Sequence, residues 1–464
     1  MNTRSNLIRL PLIVLMLATL VFAGGVQADI YTLDDDFDQG TLTNVNHDNP
    51  NNDQLQLNVT GAGFPILWIA NAGEHTLSKI DTTQDGASPG REVARYFTWF
   101  STQNPSNNAW SGPAPSRTAV DIEGNAYVLN RHFDGRSALL FKILSNDFID
   151  RNGNGVADTS SDADNDGVIQ ASEMMPLLDS NSNSIVDPDE IQDERIAWAL
   201  RVPDGVGAPL RNGRLGRSLC IGTDGDLWVG LYNDRTYYKV SSVDGHTIAG
   251  PISTNPTAGN PSSGGSWTPY GCLVDQDGVL WSASLGSTLG KIENTASDTG
   301  PYPVSSFRGP YGNYGIALGQ DPADGHTLVY LGGSSRSYVQ FDSATNLFST
   351  PAVVNYSARG VNTDGDGNIL VSKSSGGVVK FAPDGTVIWD KPSQVGSSDS
   401  RGIMPDANSD IWQVHLGSNK TSKFVGSDGT AQGVVPTGIN PYTYSDATGF
   451  AAANITVSTG NWTV

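Results

Sequence analysis

Oxygen-bearing side chains alternate along one stretch of the chain, between residues 146 and 194. Its middle part runs from Asp162 to Glu173, with side-chain donors at positions 1, 3, 5, 9 and 12 and glycine at position 6. These donors are Asp162, Asp164, Asp166, Gln170 and Glu173, and Val168 offers its backbone carbonyl at position 7. Alternate residues of a curled loop point at one centre, and hard cations take about six to eight oxygens. The spacing therefore predicts a metal site with oxygen ligands.

This spacing matches the calcium-binding loop of EF-hands, and it recurs on both sides. The third loop comprises Asp179, Asn181, Asn183, Ile185, Asp187 and Glu190, with Ser184 in place of the usual glycine. The first comprises Asp150, Asn152, Asn154, Val156 and Asp158 but has Ser161 at position 12, which leaves Asp162 as a shared ligand. That arrangement resembles tandem thrombospondin type-3 calcium repeats. We predict calcium as the cofactor; a disordered acidic loop is the alternative.

A second pattern recurs along the rest of the chain and predicts the fold. A turn containing Asp or Asn with Gly precedes an aromatic or aliphatic strand, as in Asp224-Gly225-Asp226-Leu227-Trp228 and Asp277-Gly278-Val279-Leu280-Trp281. The strand after each turn is marked by Trp68, Tyr127, Trp228, Trp281, Tyr330, Leu370 and Trp412. Short antiparallel strands recurring roughly 40 to 55 residues apart are typical of propeller blades. The alternative is a β-sandwich.

We therefore predict an all-β chain: a seven-bladed β-propeller over residues 63–450, with the calcium-loop segment 146–194 inserted in the second blade. The first blade lacks an innermost strand before Trp68, and Tyr442 to Gly449 can supply it, which closes the ring. The insertion joins the third and fourth strands of its blade. We expect it to decorate one rim and leave the opposite mouth of the channel free.

The turn-plus-aromatic signature resembles the streptogramin (virginiamycin B) lyase-like propellers and is similar to NHL-type propellers. The resemblance implies lyase chemistry from His and Glu residues with a magnesium ion near the channel. Those repeats carry an acid three residues after the aromatic. The matching residues are Asn71, Asn130, Leu231, Ser284, Gly333, Lys373 and His415, none of them Glu. We therefore predict no catalytic residues.

Arginines and tyrosines recur directly before the predicted innermost strands, whose starts gather at one mouth of the channel. They are Arg117, Arg217, Tyr270, Tyr314, Arg359 and Arg401. One interpretation is a donor-rich pocket for a carboxylate, a sulfate or an anionic sugar. The alternative is structural: each arginine ties neighbouring blades together by donating to backbone carbonyls or to a nearby Asp.

The chain ends and the overall charge indicate where the protein acts. Arg4 and Arg9, the apolar run Leu10 to Ala23 and Val26-Gln27-Ala28 predict a signal peptide over residues 1–28, hence an extracellular, cell-surface or periplasmic protein. A net charge of -21 argues against nucleic acid or anionic membrane as partners. Cys220 and Cys272 lie at offsets from Trp228 and Trp281 that differ by one residue, so we expect them to face opposite sides and stay unpaired.

Two short segments flank the predicted propeller: an acidic extension over residues 29–62 and a strand-like tail over residues 451–464. The tail could pack on the propeller's side or support self-association or a cell-surface partner by strand addition. Three function classes remain: a non-catalytic calcium-binding scaffold for binding or assembly, a propeller that binds a small anion, and a lyase or hydrolase. We favour the scaffold.

Overall fold

The computed structural model describes residues 31, 33–43, 45–47, 53–57, 64–83, 88–203, 214–333, 338–350, 356–396, 399–451 and 461–463. The chain divides into two compact units, one of residues 1–59 with 458–464 and one of residues 60–457. The predicted signal peptide lies outside the described residues. No helix in the described ranges is both long and apolar enough to span a bilayer.

The described residues of the smaller unit form one short helix and two small antiparallel sheets. Its elements are helix α1 (Asp34–Phe37) and strands β1 (Thr41–Thr43), β2 (Val45–Asn46), β3 (Gln56–Leu57) and, at the chain's end, β31 (Asn461–Thr463). Strand β2 pairs with β3, and β1 pairs with β31. The predicted strand-like tail is thus paired within its own chain, and a role in assembly stays a prediction.

The larger unit contains seven antiparallel sheets, which confirms the predicted seven-bladed propeller. The first three blades are β4 (Ile66–Asn71), β5 (Thr76–Asp81) and β6 (Arg91–Phe97); β7 (Pro115–Val120), β8 (Ala126–Asn130), β9 (Ala138–Ile143) and β10 (Ile196–Val202); and β11 (Gly216–Ile221), β12 (Leu227–Leu231), β13 (Thr236–Val240) and β14 (Thr247–Ser253).

The remaining four blades have four strands each, in sequence order from the innermost strand outward. They are β15 (Gly271–Val274), β16 (Leu280–Ala283), β17 (Thr288–Ile292) and β18 (Val304–Arg308); β19 (Asn313–Gln320), β20 (Thr327–Gly333), β21 (Tyr338–Asp342) and β22 (Leu347–Ser349); β23 (Ala358–Thr363), β24 (Ile369–Lys373), β25 (Val378–Phe381) and β26 (Val387–Lys391); and β27 (Ser400–Pro405), β28 (Ile411–His415), β29 (Lys420–Phe424) and β30 (Ala431–Pro436).

The last part of the propeller chain completes the first blade, as predicted. The amides of Phe64 and Trp68 donate to the carbonyls of Thr448 and Ala447, both at 2.9 Å. Farther along, the amide of Tyr442 donates to the carbonyl of Ala70 at 2.8 Å. The pairing is irregular, because the described ladder between these segments contains only one regular bridge, at Asn71 and Pro441. Residues 440–448, the closing segment, therefore occupy the innermost place of blade 1.

In two blades, an aspartate of the repeated turn accepts a hydrogen bond from the buried tryptophan that follows it. Asp275 accepts the indole N–H of Trp281 at 2.8 Å, and Asp406 accepts that of Trp412 at 2.9 Å. In blade 3 the equivalent place is held by Gly222, and the buried indole nitrogen of Trp228 has no hydrogen-bond partner among the described residues. The repeated turn thus supplies an acceptor to the buried indoles of blades 4 and 7 but not to that of blade 3.

The prediction that the two cysteines stay unpaired is wrong. Cys220 on β11 and Cys272 on β15 form a disulfide, with their Cα atoms 5.7 Å apart. They do lie on opposite faces of their own sheets, since Trp228 is opposite Cys220 whereas Trp281 is opposite Leu273. Adjacent blades, however, stack front to back, so the faces that meet are opposite faces of the two sheets. The one-residue difference in offset is therefore what brings the sulfurs together.

Removing this disulfide should destabilise the propeller. Replacing both Cys220 and Cys272 by Ser should lower the free energy of unfolding by about 2–4 kcal/mol, because the bond closes a long loop in the unfolded chain. Guanidinium denaturation of the variant and the parent measures the difference, and the parent with reductant should match the variant. Two titratable thiols in the denatured, unreduced parent would contradict the bond.

Candidate functional site

The three loops of the insertion share one backbone geometry. In each, the carboxylate at position 1 accepts the amide at position 6: Gly155 to Asp150, Gly167 to Asp162 and Ser184 to Asp179. Positions 4 and 6 are left-handed in every loop: Gly153, Gly155, Asn165, Gly167, Ser182 and Ser184. Ser184 has φ 59°, so the third loop places a serine where glycine is favoured.

A glutamate closes the second and third loops in the same way. Glu173 accepts the amides of Ala163 at 2.8 Å and Gln170 at 2.9 Å, one on each carboxylate oxygen. Glu190 accepts the amide of Ser180 on one oxygen and that of Asp187 on the other. Two 3₁₀ helices, Ala171–Glu173 and Pro188–Glu190, carry these glutamates back to their loops.

The first loop is closed by Glu194, which sequence spacing does not reveal. Its carboxylate accepts the amides of Arg151 at 2.8 Å and Asp158 at 2.9 Å, positions 2 and 9 of the loop. The chain is brought there by paired backbone contacts, with the Ile149 amide donating to the Glu194 carbonyl at 2.8 Å. Asp162 accepts amides of the second loop, and Glu194 takes the place that position 12 would have in the first, so a shared role for Asp162 stays a prediction.

The oxygen atoms of these loops converge as a hard cation would require. In the second loop, carboxylate oxygens of Asp162, Asp164 and Asp166 lie within 4.8 Å of one another. In the third, one carboxylate oxygen of Asp179 is buried without a partner among the described residues. Burial alone would raise the pKa of Glu190, but hydrogen bonds from the backbone lower it overall, so it is ionised at neutral pH. The donor set fits calcium.

The remaining predicted metal ligands take one repeated arrangement. The amide groups at positions 3 and 5 donate to the carboxylate at position 9, from Asn152 and Asn154 to Asp158 and from Asn181 and Asn183 to Asp187. In the second loop the direction is reversed, since Gln170 donates to Asp166. At position 7 of the first and second loops, Val156 and Val168 have exposed side chains, and Ile185 of the third is partly exposed.

The insertion does not stay at the rim where it emerges, contrary to our expectation. It leaves β9 and runs along β6, the outermost strand of blade 1, where the amide of Asp162 donates to the carbonyl of Val93 at 3.0 Å. It then reaches the loop after β6, whose Ser101 amide donates to the Leu177 carbonyl at 2.8 Å. Leu177 packs into the core shared by blades 1 and 2. The insertion thus braces the propeller wall.

The predicted arginines and tyrosines meet at one mouth of the channel. Tyr270 and Tyr314 pack with Tyr442 and Tyr444 of the closing segment in one buried cluster. The Tyr314 hydroxyl donates to that of Tyr442 at 2.9 Å. Burial alone would raise the pKa of Tyr442, but the guanidinium groups of Arg131 and Arg401 lower it overall. These rings form a floor across the mouth.

Arg117 follows the structural interpretation. It is fully buried, its Nε donates to the Arg217 carbonyl at 2.7 Å and an Nη donates to the Tyr270 carbonyl. Its guanidinium lies 3.2 Å from the ring centre of Tyr444. Arg117 therefore ties together blades 2, 3 and 4. Burial lowers its pKa to about 9.

Arg217, Arg359 and Arg401 lie differently at the same mouth. Each has a buried Nε without a hydrogen-bond partner among the described residues. Arg217 is stacked 5.0 Å from the ring centre of Tyr232, and Arg359 is 5.4 Å from that of Tyr314. Arg401 is hydrogen-bonded to Asp399. Arg401 thus has a contact of the structural kind as well, and anion binding at this mouth stays a prediction.

Sequence reasoning missed three residues of this mouth: Arg131, Trp110 and Phe133. They lie in loops outside the repeat, so no spacing marks them. Arg131 is fully buried and donates to the carbonyls of Ala114 and Ala109 at 2.9 and 2.6 Å. Trp110 is 45% exposed and meets Tyr442 edge-on at 5.0 Å.

A small cavity lies beneath the tyrosine floor. It has a volume of about 20 Å³, which is room for one water, and Tyr314, Tyr444, Asn362 and Asp446 are among its lining residues. Asp446 is almost fully buried and accepts the amide of Thr448 at 3.3 Å. Burial raises its pKa to about 6. The cavity therefore has no room for a ligand larger than water.

No protein-family model and no curated protein matches the chain. Among solved structures, it is similar to a catalytically inactive virginiamycin B lyase from Staphylococcus aureus with quinupristin, at 14% identity and a TM-score of 0.45 over 71% of this chain and 85% of that one. A streptogramin B lyase structure has 13% identity and a TM-score of 0.48, over 74% of this chain and 90% of that one. A Lactobacillus plantarum protein has 14% identity and a TM-score of 0.49, over 82% of this chain and 97% of that one. The resemblance predicted from the turns thus also appears among solved structures.

Asp446 should make stability depend on pH. Its pKa is about 6 in the folded protein against an ordinary 3.8, so the folded state binds the proton more tightly. The free energy of unfolding should therefore fall by about 3 kcal/mol from this residue as pH rises from about 4 to above 6. Urea unfolding across this range, for the parent and for Asp446→Asn, measures the effect. Parallel pH profiles for the two proteins would refute this assignment.

Proposed function

We propose that this protein is an exported β-propeller stapled by calcium, acting as a non-catalytic scaffold for binding or assembly. The observation that carries the proposal is the threefold repetition of one loop geometry, including closure by Glu173, Glu190 and Glu194. Three loops that arrange carboxylate and carbonyl oxygens alike are suited to the same hard cation. The ion would be held by the side chains at positions 1, 3, 5 and 12 and the carbonyl at position 7.

Electrostatics supports a bound cation in this segment. Carboxylates of Asp162, Asp164 and Asp166 lie close together, and two of the three are exposed. Among the described residues, the one positive group in ion-pair contact with them is that of Arg91, whose Nε is 3.5 Å from Asp162. Like charges at this separation repel, so a divalent cation would stabilise the folded loop.

Through the contacts between the insertion and blade 1, calcium would affect the propeller itself. The insertion contacts β6 through Asp162 and the following loop through Leu177, and that same loop supplies Ala109 and Trp110 to the channel mouth. A folded insertion would hold the wall of blade 1, which has only three regular strands of its own. Calcium would therefore act on the propeller as well as on the insertion.

Export is supported by two independent features. The signal-peptide pattern of residues 1–28 has a positively charged start, an apolar run and a small-residue cleavage site. The disulfide between Cys220 and Cys272 lies in the core, and such bonds persist in oxidising compartments. Calcium sites of modest affinity are also suited to the high calcium concentrations outside cells.

Positions of the candidate acid–base groups favour binding over catalysis. His415, at the position where lyase-like repeats carry an acid, is fully buried between the hydroxyls of Ser400 and Ser422. Burial lowers the pKa of His415 to about 4 and that of His75 likewise to about 4. His246 and His326 pair with Asp residues in exposed turns. Lyase chemistry would need such groups open to the mouth, whereas His75 and the neighbouring His132 are both buried.

Calcium should stabilise the parent protein and bind less well when the loops are altered. Asp164→Asn with Asp166→Asn removes two carboxylates of the second loop, and Glu194→Gln weakens closure of the first. Calcium at a hundredfold excess over its dissociation constant stabilises by about 2.7 kcal/mol per site. Isothermal titration calorimetry and thermal melts with and without chelator should show fewer or weaker sites in both variants.

The matched control is Asp428→Asn, which removes one exposed carboxylate from a turn of blade 7. It should leave the number and affinity of sites unchanged. If the parent takes up no calcium in titration, the calcium part of the proposal is wrong. Equal binding by Glu194→Gln and the parent would remove Glu194 from the first site.

Chelation should also expose the insertion to protease. Without a cation, repulsion between the loop carboxylates should open the segment, and cleavage should concentrate between residues 146 and 195. Limited proteolysis with mass spectrometry, in calcium and then in chelator, locates the cuts. Identical digestion patterns in both conditions would show that the segment does not need a cation to fold.

A further inference from the structure

The channel mouth contains more positive charge than its described surroundings balance. Five guanidinium groups gather there, from Arg117, Arg131, Arg217, Arg359 and Arg401. The one carboxylate bonded to any of them in the described part of the chain is Asp399, on Arg401. Buried charges are costly unless they are paired. On a protein with a net charge of -21, this concentration of unpaired arginine needs a reason.

The arginines divide into a structural pair and an available group. Arg117 and Arg131 each donate from two nitrogens to backbone carbonyls, and one further nitrogen of each has no partner among the described residues. Arg217 is only 9% exposed, yet its buried Nε has no partner among the described residues, and the same holds for the Nε atoms of Arg359 and Arg401. A buried donor without a partner costs free energy that an acceptor would recover.

The surrounding rings determine how an anion would approach. Arg217 lies against the rings of Phe133, Tyr232 and Tyr270, with its guanidinium carbon 5.0–5.5 Å from their centres. Stacking covers the faces of a guanidinium but leaves its edge, which carries the N–H groups, free for an anion in the same plane. A carboxylate accepts from such an edge with two oxygens at once.

The shape of the mouth limits the size of the ligand. The tyrosine floor and a cavity of about 20 Å³ beneath it prevent a ligand from threading the channel. The exposed ring of Trp110 lies at the rim, 5.9 Å from the guanidinium carbon of Arg401. A long polyanion would also meet repulsion from the protein's net charge of -21. A small molecule with one anionic group and a flat body fits these constraints.

We propose that Arg217, Arg359 and Arg401 bind the carboxylate of a small ring-shaped acid whose ring packs on Trp110. The shared chemistry is a single carboxylate on a ring, and it comes from two sources, a sugar acid or an aromatic acid. The carboxylate accepts from the guanidinium edges, and the tyrosine floor holds those guanidiniums in place. This site is independent of the calcium loops, so either proposal can fail alone.

Calorimetric titration of the full-length mature protein tests the site, with galacturonate, benzoate, methyl galacturonate ester and sulfate as probes. We expect galacturonate or benzoate to bind, the neutral ester not to bind, and sulfate to bind more weakly. The double variant Arg217→Gln with Arg359→Gln should weaken carboxylate binding by about tenfold or more, since each charged hydrogen bond is worth about 1.5–3 kcal/mol. Arg308→Gln, an exposed arginine on an outer strand, is the control and should bind as the parent does.

Trp110→Ala provides a second, independent test because its side chain is exposed and its loss should not unfold the protein. The substitution should weaken the binding of galacturonate or benzoate while leaving the binding of sulfate unchanged. Which acid binds more tightly identifies the source. The proposal is overturned if neither acid binds, if the double arginine variant remains folded and binds like the parent, or if sulfate binds as tightly as both acids and Trp110→Ala has no effect.

Discussion

Closure of the ring is the constraint on which the rest of the molecule depends. Residues 440–448 hydrogen-bond to the first strand of blade 1 through the backbone, and apolar side chains of blades 1 and 7 share one buried cluster. The same nine residues carry Tyr442 and Tyr444 to the channel floor and Asp446 to the cavity below it. The features that close the fold and the features that shape the mouth are therefore one segment. A change in how the ring closes would also change the floor on which the arginines stack.

Much of this organisation could be predicted from the sequence because it repeats. Each blade brings the same turn and the same strand order, and the residue before each innermost strand arrives at one mouth. Hence Arg117, Arg217, Tyr270, Tyr314, Arg359 and Arg401 could be grouped without coordinates. The second and third calcium-type loops could be found for a similar reason, since their donors follow one another at fixed spacing.

The remaining features depend on contacts between distant parts of the chain. Glu194 closes a loop that begins at Asp150, and Arg131 and Trp110 come from loops that no repeat aligns. The cysteine pairing was missed for a geometric reason, because side-chain parity within a sheet says nothing about which faces of neighbouring blades meet. Local periodicity predicts the blade. The stacking of one blade on the next decides what its side chains touch.

Closure of the first loop by Glu194 has a consequence for the order of folding. The glutamates of the second and third loops follow their own loops directly, so each can close as soon as its residues are available. The first loop has to wait for the final residues of the insertion, where the chain returns to the Asp150 region. The Glu194 carboxylate thus joins the two ends of the insertion by hydrogen bonds. Ordering of this loop therefore reports that the whole insertion has been completed and returned to blade 2.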